Sequence, residues 1–398
     1  MADKKEVILV HMVPREPAGG VIDARQIINS VLEGKLFSNR KLVIITNDRE
    51  VLPRIVDTDG CLEIRYIDTV PSFNEIHRLV PLILITLLKT IHASNTQAVF
   101  FLQEYPQILV PALFLAKITS SNTKIIVKLH SMSYIRHYVK YTLKVVSKIL
   151  MKIILTIISM IFSLSLKLAD IIIVPNPYMA RELRRKKYNA IYIPPGNMID
   201  YANVFNIIST CKAKKPKYNL LFASSKISGD DIVLFIKIMT VFHQLYGSLN
   251  SNYGIVGKAT RYDYARVRKL LDTIANILGD KIIASVSLEG LPRDKILCEI
   301  SMSDKVIISG YLDTWNYMLF EALVAGRTIY YIAQNTLTYK MMKSLLETLG
   351  LDSIIGLGVY NEEEIVLNNI STINRRINYG LYQKRCSELY IRSIGKIL

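Results

Sequence analysis

The chain has 398 residues, 51% of them hydrophobic, with 18 Gly and 13 Pro, a balance that fits two globular domains and excludes extensive disorder. Its 50 Lys and Arg against 33 Asp and Glu give a formal charge of +17, which implies an anionic partner: a phosphorylated ligand, a lipid surface or nucleic acid. Nucleic acid ranks last, because no basic run is interleaved with stacking aromatics and no zinc-finger or basic-zipper spacing occurs.

Cys61, Cys211, Cys298 and Cys386 are far apart and form no Cys-x-x-Cys pair. They read as reduced structural residues of an intracellular protein. The opening Met-Ala-Asp-Lys-Lys-Glu leads straight into a strand without a signal-like apolar region, so secretion is not expected.

In chain order, Val7 to Val13 predicts a strand, Pro17-Ala-Gly-Gly20 a turn and Ile22 to Leu32 a helix, the start of a βαβ unit. Gly19 and Gly20 allow backbone to approach a ligand where a side chain would collide. Lys41 to Thr46, Leu62 to Ile67, Ala98 to Leu102 and Lys124 to Leu129 predict further strands, with helical segments between several of them. That alternation predicts a parallel sheet covered on both faces, in an α/β first domain over 1–200. Ligands of such sheets bind beyond the carboxyl ends of the strands, where Gly19, Gly20 and His130 fall. A single His after a strand reads as readily as a satisfied core or surface residue as it does a ligand contact.

From 133 to 168 the chain has no Gly or Pro, and Lys140, Lys144, Lys148 and Lys152 recur at four-residue steps beside a broad apolar face. This pattern predicts a basic amphipathic helix suited to an anionic membrane surface. The apolar run Ile153 to Leu166 is 14 residues, short of the roughly 20 that span a bilayer. The expectation is therefore peripheral contact. Arg181, Arg184, Arg185, Lys186 and Lys187 read as a solvated face, and 201–217 reads as a linker.

The second domain, 218–375, repeats the alternation. Leu220 to Ala223, Tyr253 to Val256, Lys281 to Leu288, Lys305 to Ser309 and Thr328 to Ile332 predict strands. Asp231 to Tyr246, Pro292 to Ser301, Asn316 to Ala325, Tyr339 to Leu349 and Glu362 to Arg376 predict helices, with loops at Ser224 to Gly229 and after Val256. Gly326 falls where a left-handed C-cap belongs. Asp313 precedes the third of these helices and Glu321 lies inside it, eight positions on. Two such acids can hold the hydroxyl-rich ends of a nucleotide-sugar while the helix N-terminus receives the diphosphate.

The Asp313 to Glu321-Ala322 spacing resembles the acidic signature of retaining glycosyltransferases of the GT-B fold, especially family 4. The resemblance implies two Rossmann-like domains, a nucleotide-sugar donor, a lipid-linked or glycan acceptor, and no cofactor or metal. It assigns Glu321 to the donor ribose, Asp313 and His130 to the sugar, and Gly19 and Gly20 to room for donor and acceptor. Lys258, Gly290 and Asn316 fall in stretches that resemble the family's donor site, and segment 376–398 is implied to return to the first domain.

The sequence departs from the family at several points. Asp313 stands for the usual Glu, and Thr314-Trp315-Asn316 replaces Gly-Phe-Gly. Ser225 and Asp230 take the places of the phosphate-gripping Arg and Lys, leaving Ser225 and Lys226 as the substitute contacts. Three functions follow: a glycosyltransferase working peripherally at the inner face of a cell membrane, a non-catalytic GT-B protein binding a glycan or partner, or a GT-B sugar-nucleotide epimerase.

Overall fold

A computed structural model of the chain describes residues 6–13, 24–25, 27–28, 40–51, 62–71, 73–93, 96–102, 105–120, 122–130, 148–194, 201–211, 216–246, 252–259, 264–278, 282–287, 291–310, 316–352, 355–361, 364–368 and 393. It divides into two compact units, 1–197 with 384–398, and 198–383.

The first unit is built on a seven-stranded sheet of β1 (Glu6–His11), β2 (Lys41–Thr46), β3 (Leu62–Tyr66), β4 (Thr96–Phe101), β5 (Lys124–Lys128), β6 (Ile171–Val174) and β7 (Ala190–Tyr192). Their order is β3-β2-β1-β4-β5-β6-β7, and every pairing is parallel. A parallel sheet is covered on both faces, which is why β1 is an unbroken buried run rather than an alternating one. Val7, Leu9, Ile44, Phe100 and Ile126 form one side of this core with the helical residues Ala24, Ile27 and Ile28. The longer helices of this unit include α1 (Val80–Ala93), α2 (Pro106–Thr119), α3 (Lys148–Leu166) and α4 (Pro177–Arg185); α1 packs on α2, and α2 on α3.

The second unit contains α5 (Tyr201–Cys211), β8 (Tyr218–Ile227), α6 (Gly229–Tyr246), β9 (Tyr253–Ala259), α7 (Tyr264–Leu278), β10 (Ile282–Ser287), α8 (Arg293–Ser301), β11 (Ser303–Gly310), α9 (Tyr317–Val324), β12 (Thr328–Ala333), α10 (Thr336–Leu349), β13 (Ile355–Asn361) and β14 (Glu364–Asn368). The sheet order is β10-β9-β8-β11-β12-β13-β14, parallel except for the terminal β13–β14 pair. Phe222, Phe235, Ile255, Ile307 and Ile332 anchor its core.

Four expectations are corrected here. Segment 201–217 contains α5, whose Val204 and Ile208 are buried one turn apart. The chain expected to loop from Ser224 stays in β8 to Ile227, with a register irregularity between Ser224 and Ile227, and Gly257 and Lys258 lie within β9. The helix expected from Glu362 begins instead with strand β14, where Val366 pairs with Val359; residues 369–376 lie outside the described part. Finally, Cys211 of α5 and Cys298 of α8 are joined in a disulfide with their Cα atoms 5.2 Å apart, so these two are not reduced. Gly326 has φ +66°, the left-handed position expected of it.

Candidate functional site

In the second sheet the strand order reverses between β8 and β11, and a ligand of such a sheet sits beyond the carboxyl ends of those two strands. α6 starts from the end of β8. Its N-terminus is closed by a reciprocal cap: the Ser228 N–H and Oγ donate to Asp231 Oδ2 at 2.8 and 2.7 Å, and the Asp231 N–H donates back to Ser228 Oγ at 3.3 Å. The other Asp231 oxygen reaches across the switch point, where Oδ1 accepts from Ser309 Oγ at the end of β11 (2.7 Å) and from Gln334 Nε2 just past β12 (2.5 Å). Asp231 is only 4% exposed. The positive end of α6, where an external anion would be expected, therefore already holds a carboxylate. Asp230, the acid that the sequence singled out, turns outward to pair with Arg266 at 2.9 Å.

α9 starts beyond β11. Asn316 is its N-cap, Oδ1 accepting from the Leu319 N–H at 3.1 Å. Glu321 lies in the second turn, buried at 6% exposure beside Leu319, Phe320 and Ala322. Arg293, the first residue of α8, donates to Glu321 Oε1 from Nε at 2.8 Å, and its Nη2 makes an ion-pair contact with the same oxygen at 2.7 Å. Both contacts fall on one oxygen, leaving Oε2 for another donor. Burial pushes the Glu321 pKa above the usual carboxylate value, and the Arg293 charge only partly opposes it. The Arg293 side chain is half exposed, so it presents a cation at the same rim.

In the first sheet the order reverses between β1 and β4. His130, just past β5, is half-buried, and its Nε2 lies 3.2 Å from the Leu102 carbonyl at the end of β4. His11 closes β1, and its Nε2 lies 2.9 Å from Asp48 Oδ2. Arg25 donates to both Asp48 oxygens, at 2.6 and 2.9 Å, and also pairs with Glu50. Burial lowers the pKa of His11 despite Asp48; for Asp48 burial acts upward, but the bonds from His11 and Arg25 hold it well below the usual carboxylate range. A neutral His11 thus carries its proton on Nε2, toward Asp48, and its Nδ1 has no hydrogen-bond partner among the described residues. Asn47 fixes the chain leaving β1, accepting from the Val13 N–H at 2.7 Å and donating to the Val13 carbonyl at 2.9 Å.

The structure thus brings His130 against the end of β4, on the β5 side of the first switch point, and Glu321 and Asn316 to the rim of the second sheet. Ser225 and Lys226 are on β8 and Lys258 on β9; Lys148 and Lys152 are on α3. Gly19, Gly20, Gly290, Asp313, Lys140 and Lys144 lie outside the described residues. Sequence reading missed Arg293, Asp231 and the His11–Asp48–Arg25 group. Only the last left a local trace, the polar Thr46-Asn47-Asp48 ending an apolar strand. Among the described residues, no cluster of three or more His, Cys, Asp or Glu could hold a metal, and no helix is long and apolar enough to cross a membrane.

No protein-family profile and no curated protein sequence matches the chain. Solved structures do. The α,α-trehalose-phosphate synthase (UDP-forming) of Burkholderia vietnamiensis aligns over 100% of this chain and 98% of its own at TM-score 0.56 and 11% identity. The UDP-GlcNAc 2-epimerase of Methanocaldococcus jannaschii aligns over 98% and 99% at TM-score 0.54 and 11% identity. A trehalose-6-phosphate protein of E. coli bound with UDP-2-fluoro glucose aligns over 98% and 96% at TM-score 0.50 and 10% identity. These likenesses run over essentially whole chains and both sheets, and the chain accordingly has the GT-B fold.

Proposed function

We propose that the chain is a retaining, metal-independent glycosyltransferase that moves a sugar from a nucleotide-sugar to a lipid-linked or glycan acceptor. The observation that carries this reading is Glu321: a buried carboxylate at the rim of the second sheet, with one oxygen fixed by Arg293 and the other open to a pair of ribose hydroxyls. The UDP-sugar compound bound to the E. coli neighbour supports a nucleotide-sugar as the ligand class.

In this reading Glu321 orients the nucleoside, and the Arg293 guanidinium stands beside it as a fixed positive charge for the departing phosphate. His130 contributes a polar contact to the sugar, and Asp313, before α9, takes its hydroxyls. Retention is the family's front-side route, in which the leaving phosphate itself takes the acceptor proton, so stabilising that phosphate is the main electrostatic task. Ser225, Lys226 and Lys258 are the further candidates for it.

The test is a panel of nucleotide-sugars screened for thermal stabilisation, followed by transfer and donor-hydrolysis assays. A ligand that binds only the folded chain must raise its melting temperature. One nucleotide-sugar is expected to do so, and Glu321→Ala is expected to weaken its binding at least about tenfold, the loss of a charged hydrogen bond. A panel with no shift and no turnover would overturn the reading. It would favour a non-catalytic GT-B binding protein, to which the internal carboxylate of Asp231 lends weight. Rapid turnover of a UDP-sugar without any acceptor would instead favour the epimerase reading, the activity named for the Methanocaldococcus neighbour.

A further inference from the structure

Eleven of the thirteen exposed large hydrophobic side chains among the described residues lie on three helices of the first unit, α1, α2 and α3. On α1 they are Leu82, Ile85 and Leu88, 36 to 52% exposed. On α2, Phe114 is 46% and Ile118 82% exposed. On α3, Leu150, Ile153, Ile157, Met160, Ile161 and Leu164 recur at intervals of three and four apart from the adjacent Met160 and Ile161, which keeps them on one side of the helix. The opposite side of α3, with Phe162, Ser165 and Leu166, is buried. α3 is thus seated on the unit by one face, and its exposed stripe is a second apolar face. Since α1 packs on α2 and α2 on α3, the three sets belong to neighbouring helices.

Charge identifies what covers this surface. The 14, 14 and 19 residues of these helices include no Asp or Glu. They do include Lys89, Lys117, Lys148 and Lys152. Lys117 lies 3.8 Å from Asp170, an acid outside the three helices. A second copy of the same face would set lysine against lysine with no acid to answer it. An anionic lipid surface supplies apolar depth for the isoleucines and phosphates for the lysines at once. At 19 residues α3 is about 28 Å long, enough to lie along a bilayer surface over several turns.

We infer that α1, α2 and α3 together form a docking face for an anionic lipid bilayer, with the exposed apolar side chains entering the headgroup boundary and the lysines meeting lipid phosphates. This deepens the lipid-linked part of the proposed function, but the docking requires neither donor nor acceptor. It extends the contact well beyond the lysine stripe of α3.

Flotation of the full chain with vesicles of phosphatidylcholine alone or mixed with phosphatidylglycerol tests it, with no nucleotide-sugar or acceptor present. The chain should float with the mixed vesicles, lose that binding as salt rises, and float weakly with phosphatidylcholine alone. Ile118→Glu on α2 and Ile85→Glu on α1 should each reduce partitioning about tenfold, the transfer of one large apolar side chain. Lys89→Glu should reduce it about fivefold or more. All three positions are exposed, and a melting temperature unchanged from the parent confirms that each variant is folded. Wild-type flotation that survives Ile118→Glu and Ile85→Glu would overturn the three-helix face, as would absence of binding to the mixed vesicles. So would light scattering that shows a dimer dissolved by the same substitutions, because the occupant would then be a second copy. Since no step here reads sugar transfer, an inactive but floating protein leaves the docking face standing and removes only the enzymatic reading.

Discussion

His11 and Asp48 make a pH statement that can be measured. The folded-state pKa of His11 is lowered from 6.5, so its share of stability is present above 6.5 and lost as pH falls below it. Asp48 is held below 3.8, so its share is lost in turn as pH falls through that range. Glu321 has the opposite sign: its pKa is raised from 4.5, so the stability tied to its protonated form is lost as pH rises above 4.5. Denaturant melts should therefore show stability declining as pH falls below 6.5 in the parent, and His11→Gln should flatten that limb. Glu321→Gln should gain stability near neutral pH while losing donor binding, which separates the folding role of the carboxylate from its ligand role. Asp231→Ala leaves Ser309, Gln334 and Ser228 without their shared acceptor and should cost about 2 to 4 kcal/mol in urea unfolding.

Among the elements, legibility followed locality. Strands buried on both faces, such as Val-Ile-Leu-Val in β1 and Val-Ile-Ile in β11, declare themselves as apolar runs, and Asn316 with Gly326 brackets α9 almost to the residue. β14 was misread because Glu-Ile-Val-Leu-Asn is too short to show its period, and its partner β13 decides the matter. α5 was hidden for a similar reason: its two buried residues have meaning only against α8 and α9, on which it packs. Glu321 could be found by spacing within one segment, whereas Arg293 lies 28 residues away and Ser309 reaches Asp231 across 78. No local pattern encodes such meetings.

Two element-level outcomes follow. A Cβ at Gly257 would stand 2.2 Å from the Ser224 carbonyl oxygen, a backbone atom in the neighbouring strand. Gly257→Ala should therefore force β8 and β9 apart and cost about 3 kcal/mol or more, read as a drop in melting temperature. The Cys211–Cys298 bridge closes a loop of 87 residues between α5 and α8. Reduction should lower the stability of the second unit by up to about 4 kcal/mol, and Cys211→Ser should be insensitive to reductant.

At the scale of the molecule, each unit has its own sheet and its own core, so the two need not melt together. Calorimetry with a bound nucleoside diphosphate, which lacks the sugar that reaches His130, should move the transition of 198–383 upward and leave that of the first unit in place. Vesicles should do the reverse. If both ligands shift the same transition, the assignment of donor and membrane to separate units fails.

The carboxylate of Asp231 has one more consequence. A phosphate arriving at the head of α6 meets an incumbent of its own sign that is tethered to the chain and never diffuses away, so dilution cannot remove it. Selectivity at that corner should then depend on charge density. Ligands with fewer negative charges near the helix should bind better than those with more, and Asp231→Asn should narrow that difference in a binding titration.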